Sequence, residues 1–284
     1  RNIFFVKSQF RVMKMLRFKA KISSSQSRKM ILMLAKHGNY FPEVIFKSYG
    51  DVERYYAKRR IDFDREVENC RNYFQHAVPL FENLIGSTLH SSNSSLARIN
   101  NETGEIDCDT VGPGTLVING CHAKFEAAVR ARDRAVQNND FTEFQNAVVQ
   151  GIASIESYIV YRVELWNLKN SNDQLSDSSE KKTGFDNKIS CWIPKMASGK
   201  KLDQSGSVWN DFNKLRVIRN DIDIHPKSSG YSISYQDLAS KINLFRNGIA
   251  QLLIELHILF NDPIPSIIIR AAFAPDVEFV SEDL

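Results

Sequence analysis

Between residues 10 and 22 apolar and polar positions alternate, with Phe10, Val12, Leu16, Phe18, Ala20 and Ile22 on one side and Arg11, Arg17, Lys19 and Lys21 on the other. A period of two predicts a strand with a basic outer face. Residues 30–34 and 44–49 are further short apolar runs, bounded by Ser-rich, Gly-Asn and Phe-Pro breaks, and they predict strands of the same sheet. From Phe63 the period lengthens. Val67, Cys70, Phe74, Val78 and Phe81 step by three and four, which describes one face of a helix, and Pro79 should kink or end it.

Residues 91–114 are rich in Ser, Asn, Asp and Gly and contain Gly112-Pro113-Gly114, so they predict a loop with at most a short hairpin, and a domain boundary. Beyond it the pattern turns helical. The stretch 122–137 is Ala- and Arg-rich, and Asp140 with Glu143 forms a capping-box signature ahead of a long helix. That helix carries Phe144, Val148, Ile152, Ile155, Ile159, Val163 and Trp166 at spacings of three and four. The polar stretch 170–188 predicts a mobile insertion, and 192–196 a short element. Val208, Phe212, Leu215, Ile218 and Ile222 mark a third helix. Ser234 with Asp237 caps a final one, whose apolar stripe runs from Leu238 to Leu259 until Asn261-Asp262-Pro263 stops it. These helices predict an up-and-down bundle, and Ile267-Ile268-Ile269 a strand returning to the N-terminal sheet. The fold class is therefore α+β: a basic α+β module over residues 1–115, a helical bundle over 116–262, and a tail over 263–284 that holds the strand.

The chain has 284 residues, 43% of them hydrophobic and 25% charged, which supports a folded core and excludes a disordered chain. No apolar run approaches the roughly 18 to 20 residues of a membrane span, so no membrane association is expected. Four cysteines are scattered without a C-x-x-C pair or a histidine at zinc-ligand spacing, and no metal site or cofactor is expected. The first residues lack the apolar core of a signal peptide, which suggests the cytoplasm, although an Arg-rich, acid-free opening also fits a mitochondrial presequence. The net charge of +4 hides a split: residues 1–61 hold 15 Lys or Arg against 3 Asp or Glu, and the remainder 22 against 30. A concentrated basic segment suits a polyphosphate partner; it suits equally a solvated face or docking on the acidic half.

Motifs for nucleotide loops, serine nucleophiles and metal-dependent hydrolysis are missing: Ser198-Gly199-Lys200-Lys201 lacks the upstream glycine of a phosphate-binding loop, and there is no G-x-S-x-G or H-E-x-x-H. One constellation remains, Arg219-Asn220-Asp221-Ile222-Asp223-Ile224-His225-Pro226, between the third helix and the last. It resembles the signature of the HEPN family (higher eukaryotes and prokaryotes nucleotide-binding): an Arg, then a polar residue, then a His after four to six intervening residues. Arg71-Asn72 with His76 satisfies the same pattern. Inside a continuous helix, however, those two side chains lie about 140° apart and cannot grip one phosphate. Pro226, by contrast, pushes His225 out of helical backbone space, so its imidazole can turn back toward Arg219. The layout of residues 122–262, with its motif between third and fourth helices, also resembles the family, as do the stretches 151–159, 209–212 and 245–249.

The resemblance implies a metal-independent endoribonuclease of the kind found in toxin–antitoxin and antiviral defence systems. It would act as a homodimer and could be held by an antitoxin protein. Arg219, His225 and Asn220 would be its catalytic residues, and Glu156, in the first long helix, would stand behind them. RNA supplies its own nucleophile in the 2′-OH, so a histidine near neutrality and an always-charged arginine suffice for the chemistry. Arg11, Arg17, Lys19, Lys21 and Arg216 are candidates for RNA contact. A non-catalytic HEPN module that binds RNA, nucleotide or a protein partner is the alternative, and an adaptor docking on DNA through the basic sheet is a third.

Overall fold

The computed structural model describes residues 16–38, 44–73, 89–90, 95–99, 106–110, 116–117, 120–176, 184–221 and 232–280. They form a helix-rich α+β fold. Its centre is the hairpin of α4 (Gly120–Asn138) and α5 (Phe141–Lys169), turned by Asn139 in the left-handed region at φ 53°. Asp140 caps α5 by accepting from the Thr142 N–H at 2.8 Å. The reciprocal half of the expected capping box is not used. The Asp140 N–H already donates to the Ala135 carbonyl at 3.0 Å, and Glu143 turns instead to Arg134, both of its oxygens accepting at 2.9 and 3.0 Å.

Against this hairpin pack α8 (Ser207–Arg219) and a C-terminal helix formed by α9 (Tyr235–Phe245), a widened π-helical segment (Arg246–Gln251) and α10 (Leu252–Phe260). Ser234 caps α9 by accepting from the Asp237 N–H at 3.0 Å, as the sequence predicts. Asn261, left-handed at φ 57°, closes α10. Phe125, Phe144, Phe212 and Phe245 are fully buried in this core, and the rings of Phe125 and Phe245 lie 6.1 Å apart. Two glycines set the closest approaches. A Cβ at Gly248 would lie 2.6 Å from the Phe212 nitrogen and 2.7 Å from the Asp211 carbonyl carbon; one at Gly151 would lie 2.5 Å from Ile249 Cδ1.

Residues 170–176 are pinned back on α5, since Asn167 exchanges two hydrogen bonds with the Leu175 backbone at 2.7 and 2.8 Å. The short element beyond consists of α6 (Phe185–Asn187), a widened turn (Lys188–Trp192) and α7 (Ile193–Met196).

The N-terminal half departs from the sequence expectation in two places. Residues 30–34 belong to a helix, α1 (Ser24–His37), and not to a strand. Ser23 and Gln26 cap each other reciprocally, and the buried set Ser27, Met30, Ile31, Leu34 and Ala35 has helical spacing. Residues 44–48 lead as irregular chain into α2 (Tyr49–Lys58), nucleated by a second capping box between Ser48 and Asp51. Of the predicted strand over residues 10–22, residues 16–18 form β1 (Leu16–Phe18), and residues 10–15 lie outside the described residues. The helix from Phe63 is described as α3 (Phe63–Tyr73), and its expected continuation lies outside the described residues. In the loop region, β2 (Leu89–His90) pairs with β5 (Leu116–Val117), and β3 (Ser95–Ile99) with β4 (Ile106–Thr110) in an antiparallel hairpin.

The tail does return a strand to the N-terminal segment, but from other residues. Ile267-Ile268-Ile269 lies in α11 (Ser266–Ala272), all three side chains buried, where burial on every side overrides the β-propensity of the run. The strand is β6 (Val277–Phe279), antiparallel to β1 with Arg17 opposite Glu278. Leu16, Ile22, Met30 and Leu34 share one apolar core with α4, α5, α8, α10 and α11, while Ile31, Phe46, Val52, Tyr56 and Val67 form a second, smaller cluster. Among the described residues no helix is long and apolar enough to cross a membrane.

Candidate functional site

Arg219 is the last residue of α8, two turns beyond Phe212, whose backbone abuts Gly248. Glu156 stands on α5 five residues past Gly151, which lets α5 close on Phe245 and Ile249. Two close helix contacts therefore decide where these side chains meet. Arg219 Nη1 donates to Glu156 Oε1 at 3.2 Å, and Nη2 to Asn220 Oδ1 at 3.4 Å. Both contacts are longer than the 2.7–2.9 Å usual for a charge-assisted bond. Arg219 Nε is buried and has no partner among the described residues. The Arg219 side chain is thus about four-fifths buried, with an exposure of 21%, yet its fork is only loosely occupied.

Asn220 remains helical at φ −65° and ψ −41°, and its N–H reaches the carbonyls of both Arg216 and Val217. Residues 220 and 221 continue the helix as a widened turn, a local geometry frequent at functional sites. His225 and Pro226 lie outside the described residues. The structure therefore brings together Arg219, Asn220 and Glu156 of the predicted set. A guanidinium with spare donors beside an amide side chain at a helix end can hold two oxygens of a phosphate, which requires a planar donor pair and fixed charge.

The expected RNA contacts are differently disposed. Arg17 Nε donates to Glu278 at 2.9 Å, and Lys19 lies 3.7 Å from Asp276. Lys21 is exposed, and Arg11 lies outside the described residues. Arg216 Nη1 and Nη2 donate to the two oxygens of Asp186 at 2.6 and 3.2 Å, and the guanidinium stacks 5.0 Å from the Phe185 ring. It ties α6 to α8. Of the second motif copy, Arg71 donates to the Ile22 carbonyl at 3.0 Å and to Glu68 at 2.7 Å, while His76 lies outside the described residues.

Sequence reasoning missed a buried polar cluster on the far face of α5. The Tyr158 hydroxyl donates to Asp262, which also accepts from Arg162 at 2.8 and 3.1 Å. The His257 ring stacks on Tyr158 with centroids 4.2 Å apart and bonds the Leu253 carbonyl through Nδ1 at 2.7 Å. Burial holds the His257 pKa down at about 4 and raises those of Asp262 and Tyr158. Partly buried Glu255 is pushed up to about 7, by desolvation and then by the like charge of Asp203. The helical spacing of Tyr158 and Arg162 was a signal; the pairing across 104 residues was not. Among the described residues no group of three or more His, Cys, Asp or Glu side chains could hold a metal ion. Comparison of the chain with known protein families, characterised proteins and solved structures finds no match.

Proposed function

We propose that the protein is a metal-independent endoribonuclease of the HEPN type, in which Arg219 clamps the scissile phosphate. The observation that carries this reading is the state of Arg219: a mostly buried side chain with a buried, unpartnered Nε and two long contacts, to Glu156 and Asn220. Keeping such a cation under-bonded costs stability unless a ligand completes it. A phosphorane carries more negative charge on its equatorial oxygens than the ground-state phosphate, so a preorganised fork favours the transition state.

In this mechanism His225 removes the 2′-OH proton or protonates the leaving 5′-oxygen, while Asn220 orients a phosphate oxygen and Glu156 keeps the guanidinium aimed. The products are a 2′,3′-cyclic phosphate and a 5′-hydroxyl. The protein would work as a homodimer with its motifs facing one cleft, as a toxin or antiviral effector governed by an antitoxin partner.

Incubation of the purified protein with mixed RNA in EDTA tests the reading directly. Cleavage should fall by about 10² to 10⁴ in His225→Ala and by about 10² to 10³ in Arg219→Ala. DNA and 2′-O-methyl RNA should resist. Activity that disappears in EDTA and returns with Mg²⁺, or robust cutting of single-stranded DNA, refutes it. RNA binding without cleavage by the wild-type protein would assign the non-catalytic module instead.

A further inference from the structure

The cations of β1 and of the residue that follows it are already engaged, Arg17 by Glu278 at 2.9 Å and Lys19 by Asp276 at 3.7 Å. Exposed cations without an ion pair lie elsewhere, on α1 and α2, beside the acids of α3, of which Asp64 lies 3.6 Å from Arg28. Residues 24–37 and 44–60 hold eight Lys or Arg and only two acids, Asp51 and Glu53. Both acids are taken locally: Asp51 accepts from Ser48 and pairs with Arg54, and Glu53 accepts from Arg28 at 2.6 Å. Lys29, Lys47, Lys58 and Arg60 are exposed and, among the described residues, form no ion pair.

Lys29 lies on α1, and Lys47, Lys58 and Arg60 lie at or beside the two ends of α2. Lys29 lies two turns before Lys36 on α1, and Lys36 Nζ sits 4.9 Å over the ring of Tyr49, in the first turn of α2. Lys47 immediately precedes the cap of α2, and Lys58 and Arg60 stand at its other end, about 15 Å away. Aromatic rings are interleaved: Tyr49 is 39% exposed, and Arg59 lies 4.6 Å over Tyr55.

A second observation comes from the backbone. Arg60 occupies the left-handed region at φ 56°, where its N–H donates to Ala57 and that of Ile61 to Tyr56, both at 3.1 Å. This helix-ending turn favours glycine, and a side chain there is strained. A strained position carrying an arginine within a patch of unpaired cations indicates a residue kept for contact.

We propose that this α1–α2 surface binds the phosphate backbone of an RNA strand whose cleavage occurs at Arg219. The identity of the strand as RNA rests on the ribonuclease reading above; the phosphate-binding surface stands on its own charges and geometry. Contacts to phosphate are sequence-tolerant and release counterions, so they are read as the dependence of affinity on salt.

The test measures affinity of the Arg219→Ala protein for a fluorescent single-stranded RNA between about 50 and 200 mM salt. The quadruple variant Lys29→Gln/Lys47→Gln/Lys58→Gln/Arg60→Gly, made in the same background, should lose about 50-fold less affinity than its parent over that range, from about 0.7 of log–log slope per phosphate contact. Arg17→Gln/Lys19→Gln should keep the parental slope. Arg60→Gly alone should weaken binding without lowering the thermal midpoint, because it relieves strain. An unchanged slope in the quadruple variant overturns the proposal, as does binding of this surface to anionic vesicles or an acidic protein but not to RNA. If RNA binds with the expected slope but is not cut when Arg219 is intact, the ribonuclease reading fails and the surface stands. Cleavage by the quadruple variant with unaltered salt dependence overturns the surface and leaves the ribonuclease.

Discussion

Replacing Gly248 by Ala would put a methyl carbon 2.6 Å from the Phe212 nitrogen, 2.7 Å from the Asp211 carbonyl carbon and 3.0 Å from its oxygen. All three are backbone atoms, so no rotamer change relieves the contact and α8 must move outward. That movement also stretches the 2.7 Å hydrogen bond from Asn247 Nδ2 to Asp211. Overpacking of this kind costs typically 1–3 kcal/mol, here toward about 3. Ala regains about 1 kcal/mol of helix propensity, leaving a net loss of about 2 kcal/mol. For a chain of this size the thermal midpoint should fall by about 3 °C. Two other glycines serve as internal comparisons. Gly151→Ala meets chiefly the end of the Ile249 side chain, at 2.5 Å, which can shift, and should cost about half as much; Gly120→Ala meets nothing within 4 Å and should cost nothing. Calorimetry or urea unfolding of the three variants ranks them. A Gly248→Ala midpoint equal to that of Gly120→Ala would refute the close helix contact, and with it the account of how Arg219 is brought to Glu156.

Asp262→Ala would strip the nearly buried Arg162 of its carboxylate and should cost about 3–5 kcal/mol in urea unfolding; a loss under 1 kcal/mol would show that the cluster carries little. The His257 pKa is held near 4 against 6.5 in the unfolded chain. Its contribution is therefore complete above pH 6.5 and lost as pH falls toward 4, by up to about 3 kcal/mol. His257→Phe should flatten that acid limb in pH-dependent unfolding. Glu255 has the opposite sign, since its pKa rises from 4.5 to about 7: its contribution is complete below pH 4.5 and lost as pH rises to 7. Discounted for partial exposure, the loss is about 1–2 kcal/mol. Glu255→Gln should therefore match wild type near pH 4 and exceed it in thermal midpoint at pH 8; a variant less stable at pH 8 would contradict the like-charge contact with Asp203.

Long periodic stripes with polar caps were legible in the chain, because a helix needs only local information to declare its face and ends. Asp140, Ser234 and Asn261 mark helix ends in the structure as the sequence predicts. The placing of Arg219 and Asn220 together at a helix end was legible for a related reason: adjacent residues share one neighbourhood. Short apolar runs were not legible. In residues 30–34 and 267–269 five or fewer consecutive apolar residues carry no period; the first became a helix with one buried face behind its cap, and the second a helix with all three side chains buried. The Ser23–Gln26 and Ser48–Asp51 boxes were the local signals that could have decided residues 30–34 and 44–49.

Only the tertiary structure decided which charges are spent and which remain. Arg17 meets Glu278 across 261 residues, Tyr158 meets Asp262 across 104, and Arg219 meets Glu156 across 63. An alternating basic strand looks the same in sequence whether or not an acidic strand lies beside it. Local composition specifies how many cations a segment carries, whereas their availability depends on the distance to the nearest carboxylate, and helix packing sets that distance through contacts such as Gly248 against Phe212.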